Sequence, residues 1–251
     1  MADRMTRKLV IFTLVLALSV AASAQSSVAE RATTAYQSGD YETARSLYES
    51  LVSSGVQNGA VYFNLGNTYY ELGDLGHALL NYRRAHNLIP RDPDLGTNMA
   101  LVRARRLDVQ GDETGIVESL AVLTAGVLTL TELGWIVFGI WTLWFALLSI
   151  AILSRRWREP LRALLVVLGA VTFVGVLLLG SRLYVQSISP PAVVVGSEIH
   201  AMSGPGQDYL ELFRLHEAAE LRLLETNGDW ARIALPDGRQ GWVPRQALEV
   251  I

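Results

Sequence analysis

The residue types best able to do chemistry are thinly spread in this chain of 251 residues. Its four histidines are His77, His86, His200 and His216. His77 and His86 stand nine apart, so on one helix they do not share a face as an i,i+4 metal pair would. There is no cysteine, which excludes disulfides, thiol nucleophiles, thiolate metal sites and lipid attachment to a cysteine. No nucleophile elbow, phosphate-binding glycine loop or H-E-x-x-H pair occurs, and the carboxylates are scattered. The expectation is a protein that is not an enzyme, with no catalytic residue, no metal site and no cofactor. What remains is recognition chemistry. Asparagine carboxamides carry a donor and an acceptor together, and tyrosine and tryptophan supply contact area.

Charge narrows the partners. The net charge of −3 argues against nucleic acid, whose phosphates need clustered basic surface. The one dense basic cluster is Ser154–Arg162, SRRWREPLR, with four arginines and one glutamate. The uncharged apolar runs Leu133–Leu153 and Ala163–Gly180 flank it. Each is long enough, or nearly so, to cross about 30 Å of hydrocarbon as a helix. A short arginine-rich loop between two spans reads as cytoplasmic, with Arg155, Arg156, Arg158 and Arg162 as topology determinants. The hydrophobic share of 51% and the mean hydropathy of +0.28 agree with two spans carrying two small outward-facing modules.

Positions 1–24 read as a secretory signal. Arg4, Arg7 and Lys8 precede an apolar stretch, and Ala22-Ser23-Ala24 offers a cleavage pattern. The alternative, an uncleaved first anchor, leaves Gln25 onward on the same side. Positions 110–131 read as a polar linker, QGDETG, followed by a helix lying at the membrane interface; the start of an over-long span is the other reading. With Thr131 as N-cap, Glu132 would sit at the positive end of the next helix, near the headgroups. The spans are expected at 132–154 and 163–182, the cytoplasmic loop at 155–162, and a stiff extended linker at 183–191.

The stretch 25–92 repeats with a period of 34 residues: Gly39-Asp40 recurs as Gly73-Asp74, Ala44 as Ala78 and Tyr48 as Tyr82. In the second copy, 59–92, Tyr62, Leu65, Gly66 and Tyr69 share one helix face, and Ala78, Tyr82 and Ala85 form the facing stripe. The first copy, 25–58, is weaker. After Pro93 a third helix carries Leu95, Met99 and Val102 on one face and arginines elsewhere, which reads as a solvated cap ending near 109. This period and pattern resemble the tetratricopeptide repeat. Two repeats and a cap are short for such an array, so support from a membrane surface or a partner is expected.

The region 192–251 changes to short strand-like runs, Val193–Val195, Leu221–Leu224, Trp230–Leu235 and Gly241–Val243. Turn residues at Ser203–Gly206, Asn227-Gly228 and Pro236–Gly238 separate them. SGPG, NGDWARIAL and DGRQGWVPRQAL, in that order, resemble the bacterial SH3-type domain, a small all-β barrel. Met202 stands where that family usually has arginine, and Ala218 where it commonly has a turn glycine.

The full order is signal, YFNLGNTYYELGDLGHALLNYRRAHNLIPRDPDLGTNMALVRARR, two spans around an arginine loop, and a C-terminal barrel. It resembles the BatE-like, tetratricopeptide members of the bacterial Bat (aerotolerance) family. The expected fold class is therefore a multidomain membrane protein: a helical repeat solenoid, a transmembrane hairpin and an SH3-like barrel. The resemblance implies an inner-membrane adaptor or scaffold with both globular domains extracytoplasmic. It would work beside von Willebrand A-type Bat proteins and, indirectly, a MoxR-type AAA+ ATPase, in envelope or oxidative-stress tolerance. The repeat pattern implies a peptide groove at Tyr36, Phe63, Asn64, Asn67, Tyr70 and Asn98. Bracing of neighbouring helices is the competing role for the asparagines. The lysines of a carboxylate clamp are missing. In the barrel, Trp230 and Trp242 are ligand candidates or packing residues, the alternative function being a cell-wall sensor that binds peptidoglycan peptides.

Overall fold

The computed structural model describes residues 25–108 and 116–251. The signal reading at 1–24 and the linker reading at 110–115 lie outside the described residues. The repeat region is a row of antiparallel helices: α1 (25–37), α2 (Tyr41–Ser53), α3 (Gly59–Glu71), α4 (Leu75–Leu88) and α5 (Pro93–Arg105). Each of α2 to α5 begins at a carboxylate or carboxamide cap, Asp40, Asn58, Asp74 or Asp92, whose side chain accepts from first-turn N–H groups. Gly39 and Gly73 make the turns inside the two repeats, both with φ 81°, where a side chain would be strained. Gly66 lets α3 press against Tyr82, since a Cβ there would lie 2.6 Å from the ring.

The buried core of these helices includes Tyr48, Leu65, Leu79, Tyr82, Leu95 and Val102, and it continues into the C-terminal domain through Val193 and Ala218. Helix α5 buries Leu95, Met99 and Val102 as its sequence pattern implies and leaves most of its other residues exposed, but its arginines reach a distant partner. Arg103 donates from Nε and Nη2 to both carboxylate oxygens of Glu220, at 2.8 Å each, and Arg106 donates at 3.2 Å. Arg83 lies 3.6 Å from the same carboxylate. Burial pushes the Glu220 carboxyl up, but the hydrogen bonds from Arg103 and the charges of Arg83, Arg103 and Arg106 outweigh it and hold the group below the ordinary carboxylate range. A second clasp joins Arg84 to Glu249 (3.1 Å) and to the Val250 carbonyl (3.0 Å). Between the clasps, Gly76 of α4 meets strand backbone: a Cβ there would lie 2.7 Å from the Val194 oxygen. The short repeat array is supported by the C-terminal domain.

The middle of the chain holds α6 (Ile116–Ala125), α7 (Leu130–Leu153) and α8 (Arg155–Ile188), with α6 and α7 both packed on α8. Helices α7 and α8 are long and apolar enough to cross a membrane. Side chains such as Trp135, Leu153 and Phe173 stand exposed along them. The cap of α7 is Thr129, not Thr131: its hydroxyl accepts from the Glu132 N–H while Glu132 accepts from the Thr129 N–H, so Glu132 serves as the far half of a capping box. Arg91, between α4 and α5, grips Glu132 with two hydrogen bonds (2.7 and 3.0 Å) and ties the repeats to the hairpin.

The stretch 155–162 is not a loop. The turn contracts to Ser154, and the arginines form the first turns of α8. Arg, Glu and Leu favour helix, and Arg158 donates to the Ala151 carbonyl at the open end of α7 (3.5 Å). Pro160 stands sixth in α8, where its missing N–H leaves one first-turn carbonyl without a helical donor. Likewise the stretch 183–191 is mostly helical, since α8 runs to Ile188 and the next strand starts at Pro191. The arginine-free part of α8, Ala163–Ser181, still measures about 28 Å at 1.5 Å per residue.

The C-terminal domain is one seven-stranded sheet whose paired strands are all antiparallel, in the order β3-β2-β6-β5-β4-β1-β7. Its strands are β1 (Pro191–Val194), β2 (Glu198–Met202), β3 (Glu211–His216), β4 (Glu220–Asn227), β5 (Trp230–Ala234), β6 (Gln240–Pro244) and β7 (Leu248–Val250). Alternation packs Ala231, Ile233 and Val243 inward. Ala218 takes φ 61° in the β3–β4 turn, so the alanine does occupy a backbone position suited to glycine.

Candidate functional site

Helices α1, α3 and α5 are the first helices of successive 34-residue units and line one surface together. A cavity of about 240 Å³ opens there, lined by Tyr36, Asn67, Tyr70, Glu71, Tyr82, Asn98 and Leu101. Four residues named from the repeat pattern, Tyr36, Asn67, Tyr70 and Asn98, meet in it. Phe63 and Asn64 are not among its lining residues. The Phe63 ring packs 6.0 Å from the Tyr82 ring, and the Asn64 carbonyl accepts the Thr68 hydroxyl.

Asn67 organises the floor. Its Oδ1 accepts from the Tyr82 hydroxyl at 2.8 Å and from Asn98 Nδ2 at 2.9 Å. Asn67 and Asn98 thus brace neighbouring helices while lining the cavity. Asn67 Nδ2 and Asn98 Oδ1 are left as a donor and an acceptor that can pair with a peptide backbone. Burial pushes the Tyr82 phenol well up, aided by the phenols of Tyr36 and Tyr70 and by Glu71. Burial also raises Tyr36, followed by the charge of Glu71. Both phenols are therefore neutral donors near pH 7. Tyr69 is not among the cavity's lining residues; it donates to Glu49 and is raised by burial and by that hydrogen bond.

Sequence reasoning assigned Tyr82 to the core and did not name Glu71 or Leu101. Tyr82 is both: its ring is buried and its hydroxyl reaches the cavity floor. The 34-residue period held a usable signal for Leu101, which stands one repeat after Asn67. Glu71 lies one helical turn after Asn67.

The sheet domain carries a second, shallower depression of about 310 Å³, lined by Gln207, Asp229, Trp230, Pro244 and Gln246. Trp230 pairs with Pro244 and Trp242 with Arg232, so both tryptophans face outward from the sheet and neither fills its core. Trp242 is not among the lining residues of the depression. Among the described residues no group of three His, Cys, Asp or Glu side chains is gathered to hold a metal ion.

Residues 59–92, which comprise α3, α4 and the following turn, match the family described as tetratricopeptide repeat. A repeat of this type implies protein partners. No curated protein matches the chain.

Proposed function

We propose that the protein is a non-enzymatic, membrane-tethered scaffold whose repeat groove holds an extended segment of a partner protein. The observation that carries this reading is the cavity in which Asn67, Asn98, Tyr36 and Tyr70 converge, with an unpaired amide donor and acceptor on its floor. The docking of the repeats on the sheet domain requires both to lie on one side of any membrane the hairpin crosses. The arginines at the other end favour that side being extracytoplasmic in a bacterial inner membrane. The SH3-like and BatE-like resemblances favour a von Willebrand A-type Bat protein as partner, with a MoxR-type ATPase coupled only through other membrane proteins. The test is photo-crosslinking in cells from Tyr70, repeated with Asn98→Ala. A partner captured from Tyr70 and lost or weakened in the variant is expected. Capture that is unchanged by Asn98→Ala would refute the groove. Reporter fusions at Arg158 and Ile251 check the topology, and a cytoplasmic signal at Ile251 would overturn it.

A second reading, cell-wall sensing, is favoured by one observation: Trp230 lines an outward depression on strands β5 and β6, while the repeats contact β1, β4 and β7. Full-length protein in nanodiscs should then co-sediment with purified cell wall and lose this with Trp230→Ala. Absence of sedimentation rejects this second role.

A further inference from the structure

We propose that the groove contains a cation-accepting subsite and that the segment it holds presents a lysine or arginine side chain there. This rests on the cavity being a peptide groove. Tyr36, Tyr70 and Tyr82 arrive from three different helices, α1, α3 and α4, to line the same cavity as Glu71. Glu71 is the one charged residue among the lining side chains. Tyrosines and a carboxylate lining one cavity form a setting that favours cations: ring faces attract them electrostatically, and phenol oxygens accept their N–H groups. The carboxylate repels an acidic segment from the same place. The molecule already displays the pairing, because the Arg105 guanidinium sits 4.5 Å over the Tyr70 ring without being among the cavity's lining residues.

The remaining wall suits the same side chain. Leu101 is 47% exposed and offers apolar surface to a long aliphatic stem. The floor amides of Asn67 and Asn98 can hold the backbone next to it. Burial and Glu71 push the Tyr36 and Tyr82 phenols up, so these two stay neutral and Glu71 is the charge among the lining residues, with the Arg105 cation beside it on the Tyr70 ring.

The experiment uses the full chain in nanodiscs and three pools of fluorescent nine-residue peptides with randomised flanks. The central residue is fixed as lysine, norleucine or glutamate. The lysine pool should bind about five-fold or more tighter than the norleucine pool, the scale of one well-placed ion pair or cation–π contact. The glutamate pool should bind weakest. Glu71→Gln should erase the lysine preference, and 500 mM salt should shrink it, while Asn98→Ala should weaken the lysine and norleucine pools alike. Equal binding of those two pools, still sensitive to Asn98→Ala, overturns the cation subsite and leaves the groove standing. Binding that ignores Asn98→Ala, or no binding of any pool, removes the groove and the subsite together.

Discussion

Replacing Gly76 by alanine tests the union of the two domains with an effect whose sign is diagnostic. Gly76 lies in the first turn of α4, and the added methyl carbon would stand 2.7 Å from the Val194 oxygen and 2.9 Å from the Val195 Cα. Ordinary contacts fall near about 3.5 Å, so one backbone must retreat by roughly 0.7 Å. Both obstructing atoms are main chain, so no rotamer change relieves the clash. A retreat of that size would stretch the 2.8 Å bonds between Arg103 and Glu220 toward the limit of hydrogen-bond distance. Overpacking costs about 1–3 kcal/mol, and weakened charged hydrogen bonds add about 1 kcal/mol or more. Against this, glycine to alanine in a free helix gains about 1 kcal/mol. The net expectation is a loss of about 2 kcal/mol, or about 4–8 °C in Tm for a chain of this size. Tryptophan-fluorescence melting in nanodiscs measures it. The double variant with Glu220→Gln should lose less than the two single losses combined, because both changes open one surface. A raised Tm for Gly76→Ala, or strict additivity with Glu220→Gln, would refute the docking argument.

Three other perturbations follow from the same geometry. His77 lies 2.8 Å from Asp74 and 3.6 Å from Glu249, and these two partners raise it to about 9, so its contribution to stability is complete below about pH 6.5 and is lost as pH rises through about 9. The Tm difference between the native chain and His77→Gln should therefore shrink between pH 6.5 and 9.5; a constant difference contradicts the linkage. Ala218→Val places a β-branched residue at φ 61° in a fully buried site and should cost about 3 kcal/mol, read as a denaturation midpoint, whereas Ala218→Gly should stay within about 1 kcal/mol. Gly66→Ala should push the Tyr82 ring off α3 and cost about 1–3 kcal/mol. Its signature beyond stability is weaker peptide binding, because the Tyr82 hydroxyl leaves Asn67.

The repeat helices and the two long apolar helices were legible because their signals are local. Asp40, Asn58, Asp74 and Asp92 cap helices in place, and Gly39 and Gly73 mark the period through their own backbone. The arginine stretch misled, because charge pattern reports where a segment lies relative to a membrane and says little about its backbone. SRRWREP reads as polar punctuation, yet its residues favour helix once Ser154 alone can turn the chain. Strands β2, β3 and β7 were not foreseen: Glu198–Met202 alternates but over only five residues, Glu211–His216 breaks its alternation at Leu212-Phe213, and Leu248–Val250 is too short to show a period. The role of Arg103 and Arg106 was hidden for a different reason. Their partner Glu220 lies more than a hundred residues away, and no local pattern distinguishes an arginine that faces water from one that meets a distant carboxylate.

The core that passes from Leu79 and Leu95 to Val193 and Ala218 also sets an order of assembly. The repeat helices leave the ribosome well before Val193 and Ala218 do, with both long apolar helices made in between. At about 5–20 residues per second this interval is on the order of ten seconds. During it the face of α4 around Gly76 has no strand against it, and Arg103 and Arg106 have no Glu220. Folding of the first domain is thus completed by the last, and a chain that fails to seat its hairpin leaves the repeat domain unfinished and open to proteolysis. The same contacts that join the two domains make the stability of the cavity between the repeat helices depend on strands that are made last.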